Sequence, residues 1–273
     1  MAKRTPEGPP PPPAVQRLRL HYTKRGRLRF TSHRDIARAF ERALRRAQVP
    51  MAYSAGFSPH PKISWVGAAP TGVASEAEYV EIQLAVRVEP DALRAALDAS
   101  LPDGIDVVDV VEAPAGTSLP DRVQASRWDV RLPQVPLEAA QAAVDAFLAA
   151  PEVLVQRLVK DGMRTLDARA ATVSVSASST AGEEGCATLH LVVRHVTPAV
   201  RPDDVLSGLR LVAGLETPVP PAATRVRQGP LTENGEVDDP LAPDRRALTA
   251  REDGATRTVV DLVRAVVGAE AKD

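Results

Sequence analysis

The order of strand and helix patterns repeats once along the chain, and this repeat limits the available folds more than any other feature of the sequence. From Arg17 to Thr23 apolar residues alternate with charged ones, which predicts a strand with one wet, positive face. The patterns that follow it are a helix at 33–47, strands at 63–66 and 78–88, a helix at 90–101 and a strand at 105–111. The first half therefore has the order β-α-β-β-α-β.

The second half shows the same order without visible sequence identity to the first. Its patterns are a strand at 128–132, a helix at 136–149, a strand at 153–159 with a hairpin partner at 165–175, a strand at 187–196, a helix at 201–212 and a strand at 224–228. Two such units in tandem predict an α+β protein of two ferredoxin-like domains. The predicted divisions are a disordered Pro-rich tail at 1–15, a basic domain at 16–115, a second domain at 126–229, and a linker at 230–273 that can form a short helix at 256–267.

The composition excludes several classes of protein. Hydrophobic residues make up 44% and charged residues 25%, which is typical of a globular chain. No apolar run approaches the ~18 residues of a membrane-spanning helix, and residues 1–13 do not resemble a secretory signal. The single cysteine, Cys186, excludes an intrachain disulfide and a thiolate-rich metal or iron–sulfur site. We therefore expect a cytoplasmic protein with no membrane contact, no metal and no cofactor.

The net charge of −1 conceals a strong asymmetry between the two ends of the chain. Residues 1–70 hold 14 Lys and Arg but 3 Asp and Glu, a net of +11, so the remainder carries −12. Such a distribution indicates either a surface that binds polyanions or two halves that neutralise each other. Charge alone does not separate these interpretations.

The predicted first helix carries most of this positive charge. Ser32 and Asp35 resemble a capping box, and Ile36, Phe40 and Leu44 form an apolar face. The candidate RNA-phosphate contacts on the helix and on the basic turn before it are Arg25, Arg27, Arg29, His33, Arg34, Arg38, Arg42 and Arg45. Lys24 extends this basic platform, and the aromatic candidates for stacking on bases are Tyr22, Phe30, Tyr53 and Phe57. The alternative is a solvated helix whose aromatic neighbours belong to the core.

A second candidate is the stiff segment that follows this helix. Its candidate residues are Gly56, Phe57, Pro59, His60, Pro61 and Lys62. A histidine between two prolines is held in extended backbone. His60 is therefore either a general base or phosphate contact with Lys62 as an anion partner, or a structural residue that hydrogen-bonds locally. No third group that would orient the imidazole is evident, so we assign no catalytic residue.

Other titratable groups offer less. His190 and His195 are five residues apart on a predicted strand and should point to opposite faces, which makes them poor metal partners. Asp167 lies between Arg164 and Arg169, a pattern that favours a salt-bridged strand rim over a catalytic carboxylate.

The first half resembles a known family through several strings. These are Leu28-Arg-Phe-Thr-Ser-His-Arg-Asp, Phe40-Glu-Arg-Ala-Leu-Arg-Arg-Ala, Gly56-Phe-Ser-Pro-His-Pro-Lys, Gly72-Val-Ala-Ser-Glu and Glu78-Tyr-Val. They look like the bacterial radical SAM-linked protein family, a domain without an assigned function. In some bacteria it is fused behind a B12-binding radical SAM protein. In many actinobacteria it stands alone, often encoded near a ribonuclease E/G-type enzyme and ribosomal protein genes.

The resemblance is strong over 17–113 and implies a partner or substrate-presenting module. This chain lacks the CxxxCxxC triad that binds a four-iron cluster, so it is not itself the radical enzyme. The leading hypothesis is a non-catalytic accessory protein that binds or positions RNA, either tRNA or rRNA, in a modification or processing system. One alternative is a module that docks a radical SAM enzyme or ribonuclease E/G through the Pro-His-Pro segment. The other is an RNA-acting enzyme that uses His60 as acid or base.

Overall fold

The computed structural model describes residues 11–160, 162–180, 182–183 and 185–249. Residues 1–10 of the predicted tail lie outside these ranges, and so does all of the predicted helix at 256–267. Val15, the last residue of the predicted tail, already donates its backbone N–H to the Leu84 carbonyl oxygen at 2.8 Å.

The elements follow the predicted order, with one additional strand and one additional short helix in the second half. The strands are β1 (Gln16–Lys24), β2 (Ile63–Val66), β3 (Ala74–Leu84), β4 (Val107–Glu112), β5 (Ala125–Leu132), β6 (Leu154–Val159), β7 (Gly162–Asp167), β8 (Thr172–Ser179), β9 (Ala187–Arg194) and β10 (Ala222–Gly229). The α-helices are α1 (His33–Arg46), α2 (Pro90–Asp98), α3 (Leu137–Ala149), α4 (Ala168–Ala171) and α5 (Pro202–Ala213), and residues 242–249 are also helical.

One mixed sheet joins both halves of the chain. Its order is β4-β1-β3-β10-β5-β9-β8, with β2 paired to β3, while β6 and β7 form a separate two-stranded sheet. The halves meet where β10 and β3 run parallel, at Thr224 opposite Ala74 and Arg225 opposite Ser75. The predicted α+β class is confirmed. Each half contributes four strands to this sheet, in the spatial orders β4-β1-β3-β2 and β10-β5-β9-β8. Numbered along the chain within each half, both orders are fourth, first, third, second.

Each half has its own apolar core under its helices. Leu18, Leu20 and Tyr22 of β1 are buried as the alternation predicts, and β3 places Ile82 and Val80 opposite the two leucines. The prediction of a wet, positive face is wrong, because Arg19 is fully buried in an ion pair and Arg17 and His21 are half-buried. In the second half the buried set includes Val130, Leu189 and Phe147 from β5, β9 and α3. Burial of such side chains supplies about 1.5–3 kcal/mol each, which holds the helices on one face of the sheet.

Two local predictions need correction. The alternation Leu28-Arg29-Phe30 predicts extended backbone, but these residues belong to a 3-10 helix at Gly26–Phe30, because three alternating residues do not distinguish a strand from a tight turn. The predicted hairpin partner at 165–175 divides into β7, α4 and β8. Asp167 causes this break, since its carboxylate accepts the backbone N–H groups of Arg169 and Ala170 and so begins α4. It is a helix cap and not a salt-bridged rim.

The described part of the predicted linker, residues 230–249, packs against the sheet. Leu231 and Val237 form an isolated β-bridge, and Leu241 is fully buried. Asp244 is also fully buried, and its carboxylate lies 2.8 Å from Nη1 of Arg19 on β1. The abundance of Pro, Gly, Asp and Glu predicts a linker here, but one of these carboxylates neutralises a buried cation, so the prediction is wrong for residues 230–249.

Candidate nucleic-acid interface

Helix α1 begins and packs as its sequence predicts. Ser32 is the N-cap, and its Oγ accepts the Asp35 backbone N–H at 3.3 Å while its hydroxyl donates to the Asp35 carboxylate at 2.7 Å. Ile36, Phe40 and Leu44 are buried on the inner face. This packing fixes which side of α1 faces outward.

The outward side carries the arginine row. Arg34, Arg38, Arg42 and Arg45 are all exposed. Arg38 Nη1 lies 3.6 Å from Asp35 Oδ1, and Arg45 Nη2 lies 3.6 Å from Glu41 Oε2. Among the residues that the structure describes, neither Arg34 nor Arg42 has an ion pair or side-chain hydrogen bond. The row therefore keeps an excess of positive charge, because α1 holds five arginines against two carboxylates.

The basic turn before α1 contributes less free charge than the sequence predicts. Arg25 is paired with both Glu76 and Asp106, and hydrogen bonding to Glu76 raises its pKa further. Arg29 lies over the ring of Phe30, with 4.7 Å from guanidinium carbon to ring centroid. In the described part of the chain, only Arg27 of the three arginines in this turn is exposed without a partner.

Lys24, which the sequence placed in the same basic platform, is a core residue. It is buried, and its ammonium donates to the Pro70 carbonyl oxygen at 3.0 Å. Burial lowers its pKa, and the charge of nearby Glu78 opposes that shift. The predicted platform is therefore smaller than its sequence suggests, since downstream carboxylates neutralise part of it.

The Pro-His-Pro segment closes into a loop, residues 53–62. Tyr53 and Pro61 form an isolated β-bridge at its base. The Ser54 backbone N–H donates to the His60 carbonyl oxygen at 2.9 Å, and the His60 N–H donates to Ser54 Oγ at 3.1 Å. Lys62 then pairs through its backbone with Ala52 and Gln83. Local backbone bonds thus hold His60 at the neck of the loop, while its ring stays exposed.

A cavity of about 320 Å³ lies between this loop and the second half of α1. Its polar and loop-derived walls are Glu41, Arg45, Tyr53, Pro59, His60 and Pro61. The structure therefore brings His60 and Arg45 together, as the sequence hypothesis requires. Lys62, Arg34, Arg38 and Arg42 are not part of its lining. We call the arginine row of α1 together with loop 53–62 the α1–loop surface.

The aromatic candidates divide between core and surface. Tyr22 is 1% exposed and packs edge-on against Phe40 at 4.8 Å between ring centroids, so it is unavailable for stacking. Phe30, Tyr53 and Phe57 are exposed, and Phe57 at the loop tip is 69% exposed. His33 lies edge-on to Trp65 at 5.2 Å, which ties the start of α1 to β2.

Among the lining residues that the sequence does not place at this cavity, Glu41 and Tyr53 carry the polar groups. In the sequence, Glu41 is recognisable only as a helical ion-pair partner four residues before Arg45, and Tyr53 only as a candidate for stacking on bases. Their placement depends on how loop 53–62 folds back over α1, and no periodicity within either segment encodes that. In the described ranges, no three or more His, Cys, Asp or Glu side chains gather where they could hold a metal ion.

Comparison with known proteins places the chain in a family. The family model described as an uncharacterized protein conserved in bacteria, DUF2344, matches residues 17–202. The chain belongs to this family. The DUF2344 match includes all of α1 and loop 53–62 and ends at the first residue of α5. No curated protein matches the chain.

Among solved structures, the encapsulated DyP-type peroxidase from Mycobacterium smegmatis, determined by cryo-EM, is similar over 81% of this chain and 94% of its own. The identity is 10% and the TM-score 0.19, so this similarity carries no argument about the DUF2344 protein. Within the ranges that the structure describes, no helix is long and apolar enough to cross a bilayer.

Proposed function

We propose that this DUF2344 protein is a non-catalytic accessory protein that binds or positions RNA in a radical SAM-linked modification or processing system of the cytoplasm. The observation that carries the proposal is the α1–loop surface, where an exposed arginine row adjoins a cavity containing His60, Tyr53 and Arg45. The RNA is tRNA or rRNA. The radical SAM link rests on the resemblance of the first half and not on the geometry.

The free charge of α1 supports phosphate binding. Arg34 and Arg42 have no partner among the described residues, and the pairs formed by Arg38 and Arg45 are long and exposed. Exposed pairs of this kind contribute about 0–1 kcal/mol. A phosphate chain can therefore displace Asp35 and Glu41 at little cost and gain contacts to the whole row.

The cavity supports a contact with an unpaired base. Tyr53 is 42% exposed at its rim, and stacking of a base on an aromatic ring contributes about 1–3 kcal/mol. Because His60 is held at the neck of the loop, its ring lies beside the same opening. These groups would read the shape of a single-stranded segment while the arginine row holds its backbone.

The strand order supports the finer fold assignment. In both halves the sheet order fourth, first, third, second follows a β-α-β-β-α-β path, once β6, β7 and α4 are treated as an insertion between α3 and β8. We therefore propose two tandem ferredoxin-like domains, at about 16–115 and 126–229, whose sheets are joined through β3 and β10.

The test is RNA binding at increasing salt. Arg34→Gln/Arg42→Gln should weaken binding of total tRNA or rRNA and reduce the slope of log K against log salt by about 1.4, as expected for two lost contacts to single-stranded phosphates. The matched control is Arg87→Gln/Arg210→Gln, which removes the same charge from two exposed, ion-paired arginines elsewhere. No measurable affinity of the wild-type chain at low salt, or equal slopes for the two variants, would contradict the proposal.

A second candidate, a module that docks a radical SAM enzyme or ribonuclease E/G, is favoured by the exposed Phe57 at the loop tip. The variant Phe57→Ser separates it from the first. If that variant loses a purified protein partner while its RNA affinity and salt slope stay those of the wild type, the loop is a protein-docking element. If its RNA affinity falls instead, the loop belongs to the RNA site.

A further inference from the structure

A pair of like charges faces each other on the opposite half of the molecule. Arg127 of β5 and Arg227 of β10 are directly opposite in the antiparallel register. Both are exposed, and among the described residues neither guanidinium has an ion pair or a hydrogen bond. Like charges directly opposite each other destabilise a sheet. Among the residues that the structure describes, no ion pair or hydrogen bond to either guanidinium offsets that repulsion.

Both arginines line one cavity of about 490 Å³, on the sheet face that α3 and α5 leave open. Residues 234–237, in the segment that follows β10, also line this cavity. Its other polar walls are Ser174, Ser176, His190, Asn234 and Glu236. The volume lies within the ~300–1,000 Å³ usual for small-molecule sites.

The histidine in this cavity is fixed from both sides. His190 Nδ1 lies 2.8 Å from a carboxylate oxygen of Asp129, and its Nε2 lies 2.9 Å from Ser178 Oγ. These partners come from the neighbouring strands β5 and β8, so the ring orientation is set by the sheet. The orientation of the imidazole is therefore fixed, and among the described residues that line the cavity the two guanidiniums are the charged donors without a partner.

We propose that this cavity binds the phosphate group of a small phosphorylated molecule. A phosphate monoester carries about −1.5 to −2 charges near neutral pH, which matches two unpaired guanidiniums. Each guanidinium can donate two parallel hydrogen bonds to phosphate oxygens. The hydroxyl groups of Ser174 and Ser176 add neutral donors.

The remaining walls indicate what the phosphate is attached to. Glu236 accepts hydrogen bonds, and the Asn234 amide both accepts and donates. The single negative charge of Glu236 does not neutralise both arginines, so the cavity keeps an excess of positive charge. The same carboxylate can accept hydrogen bonds from hydroxyl or amino groups of a ligand. A sugar phosphate or a mononucleotide carries both a phosphate group and such hydroxyl or amino groups. This inference is independent of the α1–loop surface, which contributes no residue to the cavity.

The experiment is calorimetric titration of the whole chain with ribose 5-phosphate, adenosine monophosphate, inorganic phosphate and citrate. We expect a phosphorylated probe to bind the wild type. Arg127→Gln and Arg227→Gln should each weaken it at least tenfold, and Arg227→Lys should weaken it less, because the charge remains. The control is Arg131→Gln, which removes an exposed arginine of β5 that is paired with Glu183 and lies outside the cavity. It should leave affinity unchanged.

A thermal melt without ligand separates binding from folding. Because each Gln substitution removes like-charge repulsion, both variants should melt at or above the wild-type temperature. The proposal is overturned if no phosphorylated probe binds the wild type, if citrate binds more tightly than the phosphates, or if Arg227→Gln weakens binding no more than Arg131→Gln. It is also overturned if the two arginines affect only the binding of RNA oligonucleotides.

Discussion

At the scale of single residues, two buried tyrosines make the stability of the first half depend on pH in the alkaline range. Tyr22 is enclosed by Phe40 and Trp65, and burial followed by the charge of Glu78 raises its pKa well above the usual value. Tyr79 stacks on His21 at 5.0 Å, and burial raises its pKa as well. Both phenols stay protonated in the native state under conditions that ionise them in the unfolded chain.

This difference predicts a loss of stability above about pH 10. The unfolded chain releases the two protons near the ordinary tyrosine pKa of about 10, and the native state retains them. Each tyrosine should therefore lower the free energy of unfolding by up to about 1.4 kcal/mol per pH unit in that range. In urea unfolding from about pH 9 to 11.5, Tyr22→Phe should show about half the wild-type tyrosine contribution to the slope. If both residues showed tyrosinate absorbance near pH 10 while the protein is still folded, the predicted loss of stability would be contradicted.

At the scale of elements, α3 and α5 approach closely at one glycine. A Cβ added at Gly208 of α5 would lie 2.8 Å from Phe147 Cε2 and 3.1 Å from Val153 Cγ1. Phe147 is fully buried within the core of the second half. The close contact between these helices therefore requires a residue without a side chain at position 208. This requirement outweighs the ordinary preference of a helix for alanine.

Gly208→Ala should accordingly destabilise the protein. In an open helix this change stabilises by up to about 1 kcal/mol, but overpacking against Phe147 should produce a net loss of about 1–3 kcal/mol. The comparison is Ser207→Ala, one residue earlier on the exposed side of α5, which should change stability by less than about 0.5 kcal/mol. Both are measured by denaturant unfolding. A Gly208→Ala protein as stable as the Ser207 variant would show that α3 and α5 adjust freely.

At the scale of the whole molecule, one buried ion network connects the two ends of the described chain. Arg19 is fully buried, and its guanidinium donates to Asp244, to Glu81 at 2.9 Å and to the Thr117 carbonyl oxygen at 2.9 Å. Asp244 also pairs with Arg122 at 2.9 Å. Removing one member of such a network leaves an uncompensated buried charge.

Asp244→Asn should therefore cost about 3–5 kcal/mol in denaturant unfolding. The double variant Arg19→Met/Asp244→Leu should recover part of that loss, because the two fully buried charges are removed together while Glu81 and Arg122 each lose one partner. The matched surface change is Glu216→Gln, which breaks the exposed pair with Arg210 and should cost at most about 1 kcal/mol. Equal effects of the Asp244 and Glu216 variants would mean that the network contributes no stability.

Periodicity was sufficient where an element buries one face, and insufficient where distant segments meet. The alternation in β1 and the apolar face of α1 predicted both elements within one residue at most boundaries. Nothing local to Arg19 predicts a partner at Asp244, and the composition of residues 230–249 predicts a linker. Within the candidate site, α1 and the stiffness of loop 53–62 were predictable. The burial of Lys24 and the meeting of His60 with Arg45 depend on tertiary packing.

The reach of Arg19 to Asp244 also bears on synthesis at the ribosome. Arg19 is translated 225 residues before its carboxylate partner, and at about 5–20 residues per second that delay lasts on the order of ten to fifty seconds. During this time Arg19 can pair with Glu81 but not yet with Asp244. The nascent chain therefore completes the surroundings of its first strand only after residue 244 has been synthesised.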